Sequence, residues 1–165
     1  MIVLVGFMGA GKTTVGRLLA GELGVPFVDA DEAIEAAQGR SVPEIFAAEG
    51  EEGFRRIEAE TIAGLLAADD IVLALGGGAL GSERVRDAVT AHRVVLLDVP
   101  LAEALARVGG DTNRPMLRNP DLPALYEGRQ QAYRDAAHHV VGADGLAPRE
   151  VVDAVLAALG RHDLT

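Results

Sequence analysis

The octapeptide Gly6-Phe7-Met8-Gly9-Ala10-Gly11-Lys12-Thr13 fits G-x-x-x-x-G-K-[ST] at every defined position. This pattern is a phosphate cradle. Its glycines let the backbone wrap an anion, and successive N–H groups point inward as a nest. The helix that follows adds the positive end of its dipole. Gly9, Ala10, Gly11 and Thr14 are therefore expected to touch the phosphates of a nucleoside triphosphate, Lys12 to reach the β- and γ-phosphates, and Thr13 to ligate Mg²⁺. Lys12 is the single lysine among 15 basic residues. A chain that otherwise uses arginine keeps one compact ammonium here, where a point charge suits phosphate oxygens.

The loop establishes nucleotide binding without saying what else reacts, so other residues must decide. Asp29 and Asp31 lie at the end of a predicted strand, where a period of two puts both carboxylates on one face. Strand carboxyl ends face the ligand crevice in α/β sheets. One carboxylate can hold a metal through water and the other can accept from a substrate hydroxyl. The competing reading is that one caps the next helix. Arg55 opens a long predicted helix and has Glu58 three residues on, which is also the spacing of a surface ion pair. Gly76-Gly77-Gly78 follows a strand; it permits close approach of a ligand to backbone donors, or is a flexible turn. Arg114 sits in a long loop, able to close over a γ-phosphate or to remain solvated. Arg129 lies on the helix after it, where solvation is the default. His138 and His139 show no metal-ligand spacing and read as structural.

The elements that must position these residues are legible as alternation. Strands are predicted at 2–5, 25–29, 71–75, 94–98 and 139–141. Helices are predicted at 13–23, 31–38, 42–49, 51–68, 83–89, 101–108, 125–137 and 148–159, the last with Pro148 near its start. The all-apolar run Ile2-Val3-Leu4-Val5 suits a strand buried on both faces. Five strands alternating with helices predict an α/β protein with a parallel sheet covered on both sides. Between 109 and 123 the chain is rich in Gly, Pro, Asn and Asp and has no period, so it is expected to be a lid or binding loop. The tail 161–165 is expected to fray.

Composition excludes several classes. The 165 residues suit one domain, and the 49% apolar content excludes disorder. No cysteine is present, so disulfides, thiolate metal sites and Cys nucleophiles are absent. The net charge of -10 argues against nucleic acid as a partner. No apolar run approaches the ~18 residues that span a bilayer, so no membrane association is expected. The N-terminal residues read as a buried strand and not as a signal peptide, which together with the lack of cysteine favours a cytoplasmic protein, and a monomer is expected because nothing in the sequence demands more.

The ordered set GFMGAGKTTVGRLLA, FVDADEAIE, SVPEIFAAEGEEGFRRIE, GGG, RVGGDTNRPML and RQQAY resembles the shikimate kinase family over nearly the whole chain. The resemblance implies a P-loop kinase fold of the nucleoside monophosphate kinase type, a single domain over 1–165, substrate-binding helices over about 31–62 and a lid over about 109–123. It implies transfer of the γ-phosphoryl of ATP to the 3-hydroxyl of shikimate, in aromatic amino acid (chorismate) biosynthesis, with Mg²⁺. Lys12 and Arg114 would then assist transfer. Asp29 would hold the metal through water with Thr13, and Asp31 would bind ring hydroxyls and serve as the base. Arg55 and Arg129 would clamp the substrate carboxylate, Gly76, Gly77 and Gly78 would line its site with Gly77 as a backbone donor, and Phe46 and Phe54 would wall it. Arg107 and Pro148 would border the adenine. One departure is Leu75, which stands before the glycines where the family often has Ser or Thr. Two rivals are another small-molecule kinase of this fold, acting on gluconate or a nucleoside monophosphate, and a non-catalytic nucleotide-binding regulator.

Overall fold

A computed structural model of the chain describes residues 1–68, 70–108 and 120–160. In chain order the elements are β1 (Ile2–Val5), α1 (Lys12–Leu23), β2 (Phe27–Asp29), α2 (Ala30–Gln38), α3 (Val42–Leu66), β3 (Val72–Ala74), a 3-10 turn (Ala79–Gly81), α4 (Glu83–Val89), β4 (Arg93–Asp98), α5 (Leu101–Val108), α6 (Leu122–Ala136), β5 (His139–Gly142) and α7 (Pro148–Leu159). The five strands form one parallel sheet in the order β2-β3-β1-β4-β5. β1 is central, and Val3, Leu4 and Val5 have no accessible surface. This is the location expected for an uninterrupted apolar run, because a strand covered on both faces has no side left for polar residues.

The order of the strands places the site. The chain leaves β1 to form α1, then crosses to β2 at one edge before returning through β3, and only later builds β4 and β5 on the other side. The order thus reverses beside β1, and ligands of open parallel sheets bind at such a reversal, outside the carboxyl ends of the strands. α1 packs so near β2 that a Cβ on Gly16 would collide with the Phe27 ring. A second, smaller apolar cluster of Ile34, Ile45, Phe54 and Ile57 joins α2 to α3 apart from the main core. It anchors the pair of helices that carries Asp31 and Arg55.

Several expectations are corrected. β2 begins at Phe27 and not at 25. The helices expected at 42–49 and 51–68 are both present within the span of α3, separated as expected at Gly50 by a non-helical φ of 71° and ψ of -178°, but the second ends at Leu66 and not at 68. α6 starts at Leu122, so the loop expected to end at 123 ends earlier: Pro123 occupies the first helical turn, where its missing N–H costs no bond. Residues 109–119 of that loop, Arg114 among them, and the tail 161–165 lie outside the described residues. His138 is structural as expected, its Nδ1 accepting from the Val94 N–H at 3.0 Å.

Candidate active site

The P-loop connects β1 to α1. Gly9 takes a φ of 79°, and a Cβ there would run into the Ala104 carbonyl, so glycine is required on both counts. The Lys12 ammonium donates to the Gly6 carbonyl at 2.5 Å and to the Phe7 carbonyl at 3.1 Å, tying the loop across its own mouth. α1 is capped by Gly11 without a side-chain bond, whereas Asp29, Ser41 and Ser82 cap α2, α3 and α4 with theirs. The loop and the first turn of α1 open on a cleft of about 480 Å³. Gly9, Gly11, Thr13, Thr14, Arg107 and Pro148 all line it. Ala10 is buried and contributes its carbonyl to Arg107 at 3.2 Å, as Gly9 does at 3.3 Å. Arg107 also donates to the Ala143 carbonyl at 3.2 Å, so it braces the loop against the segment after β5. Leu146 and Val151 add apolar wall beside Pro148, a feature that sequence reading missed because neither belongs to a motif.

Asp29 does two jobs. Its Oδ2 accepts from the Thr13 hydroxyl at 3.2 Å, and its Oδ1 accepts from the Glu32 N–H at 3.1 Å as the cap of α2. The two readings offered for this residue are therefore compatible. Asp31 corrects the strand-face argument. The strand ends at Asp29, and Asp31 stands in the first turn of α2, yet both carboxylates still line the same cleft. Burial, and after it the charge of Asp29, hold the Asp31 carboxyl above its usual value, while Lys12 pulls it down. Thr13 and Asp29 offer hard oxygen atoms side by side. That donor set suits Mg²⁺, which favours few protein ligands beside phosphate and water oxygens.

A second hollow of about 410 Å³ adjoins the first, and Gly77 lines both. Arg55 and Arg129 face this hollow from α3 and α6. Arg55 donates to the Glu58 carboxylate at 2.9 Å, with Glu51 3.8 Å away. Glu58 is 1% exposed, so the pair read as a surface contact is a buried one on its acidic side. Burial, and after it Arg55, raises the Glu58 carboxyl and lowers it respectively, with a net upward direction. Burial pulls the Arg129 guanidinium below its usual range, and the nearby Arg55 charge acts in the same direction. Two guanidinium groups held together at one hollow make a site for an anion, and their forks match a carboxylate. Phe54 is buried beneath Arg55, whose guanidinium lies 5.2 Å from the ring centre. Phe46 stacks on Phe54 at 4.5 Å and is 36% exposed, and neither ring lines the two hollows.

Each of the three glycines makes room for one of these side chains. A Cβ on Gly76 would stand 3.0 Å from an Asp31 carboxylate oxygen and 3.3 Å from Glu58. One on Gly77 would stand 3.1 Å from Arg129, and one on Gly78 would collide with the Arg55 guanidinium. The glycine run is thus a close packing surface, not a loose turn. Leu75, just before it, is buried and lines the nucleotide cleft. Glu58 and Tyr133 are the residues whose importance sequence reading missed. Glu58 had the spacing to Arg55, but nothing in a sequence shows that its carboxylate is buried.

A phosphate cradle at the reversal of a parallel sheet, opening on an anion site between two arginines, defines a P-loop phosphotransferase for a small acidic molecule. The shikimate kinase family model matches residues 8–160. The chain is 44% identical over 165 residues to a shikimate kinase of Mycobacterium avium, covering 98% of this chain and 94% of that one. It is 46% identical over 162 residues to one of Streptomyces coelicolor, covering 96% and 95%. A solved shikimate kinase of Acinetobacter baumannii in complex with shikimate superposes with a TM-score of 0.93 at 38% identity, covering 99% and 94%. The chain belongs to the shikimate kinase family.

Proposed function

We infer that this chain transfers the γ-phosphoryl of ATP to shikimate, giving shikimate 3-phosphate and ADP on the route to aromatic amino acids. The family match and the similarity to an enzyme solved with shikimate support the reaction. The observation that carries the residue assignment is the meeting of the two hollows at Gly77, with Arg55 and Arg129 on one side and Asp31 and the P-loop on the other.

ATP lies along the P-loop, with its phosphates on the backbone nest and Lys12, and its adenine between Arg107 and Pro148. Thr13, and Asp29 through water, would hold Mg²⁺, which would supply neutralisation of phosphate charge. Shikimate places its carboxylate between Arg55 and Arg129. On the resemblance alone, Phe46 and Phe54 wall the ring; Asp31, Gly76, Gly77 and Gly78 surround its hydroxyls. The 3-hydroxyl oxygen attacks the γ-phosphorus, the bond to the β–γ bridging oxygen breaks, and ADP departs. The hydroxyl proton passes to Asp31 and then to water. An acceptor carboxylate raised above the usual range is better matched to that proton. Most of the acceleration comes from positioning and from charge neutralisation. Arg114 and the 109–123 lid enter on the resemblance alone; closure there would exclude water, which otherwise competes as acceptor. The protein acts as a cytoplasmic monomer of one domain.

A coupled assay of ADP release with shikimate, gluconate and nucleoside monophosphates as separate acceptors tests this reading. Release with shikimate at least about a thousandfold faster than with the others is expected, because an anion of another shape cannot meet the two arginines and place a hydroxyl at Asp31 together, and so leaves buried polar groups unpaired. Equal or faster release with another acceptor overturns it.

A further inference from the structure

Two hydrogen bonds fix the peptide planes of the glycine run. The Gly76 carbonyl accepts from the Ala79 N–H at 3.2 Å. The Gly77 carbonyl accepts from the Tyr133 hydroxyl at 2.6 Å, across 56 residues of sequence. In a trans peptide the N–H lies in the same plane as the C=O and points the opposite way. Holding the Gly76 oxygen therefore sets the direction of the Gly77 N–H, and holding the Gly77 oxygen sets that of the Gly78 N–H. Among the described residues neither of these N–H groups donates to a backbone carbonyl, so both remain as donors at the hollow that Gly77 and Gly78 line.

Three glycines in a row would otherwise be the segment least able to hold a direction, because glycine has the widest choice of backbone angles. Tyr133 removes that freedom from outside the run. Its ring is 1% exposed and packed in the main core, so the hydroxyl has one position. Burial pushes the phenol far above its usual value, which keeps the proton on the oxygen and the group a donor. Tyr133 is also one helical turn after Arg129, and Gly77 sits in the notch between them. One helix thus presents the guanidinium to the substrate and, a turn later, pins the backbone that faces it.

We propose that Tyr133 is a positioning residue for shikimate, its hydroxyl aiming the Gly78 N–H into the anion hollow through the Gly77 carbonyl. The proposal rests on the reaction inferred above. It assigns Tyr133 no contact with ATP or with the reacting atoms.

The test compares two deletions of the same kind on one helix. Tyr126 donates its hydroxyl to the Val99 carbonyl at 2.7 Å, also from α6, and lines neither hollow. Tyr133→Phe and Tyr126→Phe each remove one hydroxyl-to-carbonyl bond. Initial rates of ADP release give KM for shikimate and for ATP, and calorimetry gives shikimate affinity without turnover. Tyr133→Phe is expected to raise the shikimate KM and dissociation constant by about three- to tenfold, the range of one hydrogen bond. Its ATP KM should stay within about twofold and its kcat should change less than the shikimate KM. Tyr126→Phe should lower the melting temperature with shikimate constants unchanged. If wild-type protein is active with shikimate and the two variants have the same shikimate KM, the inference is overturned alone. If wild-type protein neither binds shikimate nor releases ADP with it, the proposed reaction falls and takes the inference with it.

Discussion

Lys12 illustrates how much one side chain can be asked to do. Its ammonium bridges the Gly6 and Phe7 carbonyls, so it shapes the loop as well as being the cation proposed for phosphate. Lys12→Met should lower kcat by about 10²–10³, the usual loss when one charge stabiliser is removed. Its melting temperature should stay within a few degrees of wild type, since the loop is held also by Arg107. ADP-release kinetics beside a thermal melt check both halves, and near-normal turnover would remove Lys12 from the reaction. Glu58 makes a different kind of prediction. Its carboxyl is raised in the fold, chiefly by burial, with the Arg55 charge acting against this. A group whose folded value lies above its unfolded value near 4.5 stabilises the fold most below that value and loses this contribution as pH rises through the folded value. Glu58→Gln carries no such titration. The melting temperature of wild type minus that of Glu58→Gln should therefore fall as pH rises from about 4 to 7. A difference that grows over this range would mean that Arg55 outweighs burial. The same substitution should raise the shikimate KM, because Arg55 loses its charged partner.

At the scale of elements, Gly50 shows where the sequence could be read and where it could not. A helical pattern runs on both sides of it, and two helices do meet there as expected; what no pattern shows is the glycine-only backbone angle that kinks α3 between its halves. A Cβ at Gly50 would meet nothing within 4 Å, so any cost of Gly50→Ala is conformational. That cost is about 1–3 kcal/mol, or roughly 3–10 °C in melting temperature for a chain of this size. A melt that moves by less than a degree would show that the break relaxes freely. The P-loop, the strand alternation and the motif order were legible because they depend on local pattern: β1, α4, α5 and α7 take the spans expected. What was not legible depends on contacts distant in sequence. The strand-face argument for Asp31 assumed that β2 runs on to it, but Asp29 caps α2 and ends the strand first. The glycine run gave no hint that its three hydrogens face Asp31, Arg129 and Arg55 in turn. Those partners come from α2, α6 and α3, and only the packed sheet brings them together.

For the whole molecule the unusual fact is charge. A protein of net charge -10 is assigned two anionic substrates. It can bind them because its few site cations are concentrated where they are partly shielded from solvent, whereas distant surface carboxylates are screened beyond about 8 Å at physiological salt. Binding free energy must then depend steeply on each of those cations and feed into stability, because a ligand that binds only the folded state adds RT ln(1 + [L]/Kd). Shikimate at about 100 times its dissociation constant should add about 2.7 kcal/mol, hence about 5–10 °C to the melting temperature of wild type. Arg55→Ala should lose nearly all of this shift at the same shikimate concentration. It should keep the shift given by ATP, since Arg55 lines the second hollow and not the nucleotide cleft. Thermal melts of both proteins, with each ligand alone, decide the matter. Loss of both shifts would mean that Arg55→Ala has damaged the fold around the P-loop. Retention of the shikimate shift would mean that the carboxylate is held by other groups, and the clamp between Arg55 and Arg129 would have to be abandoned.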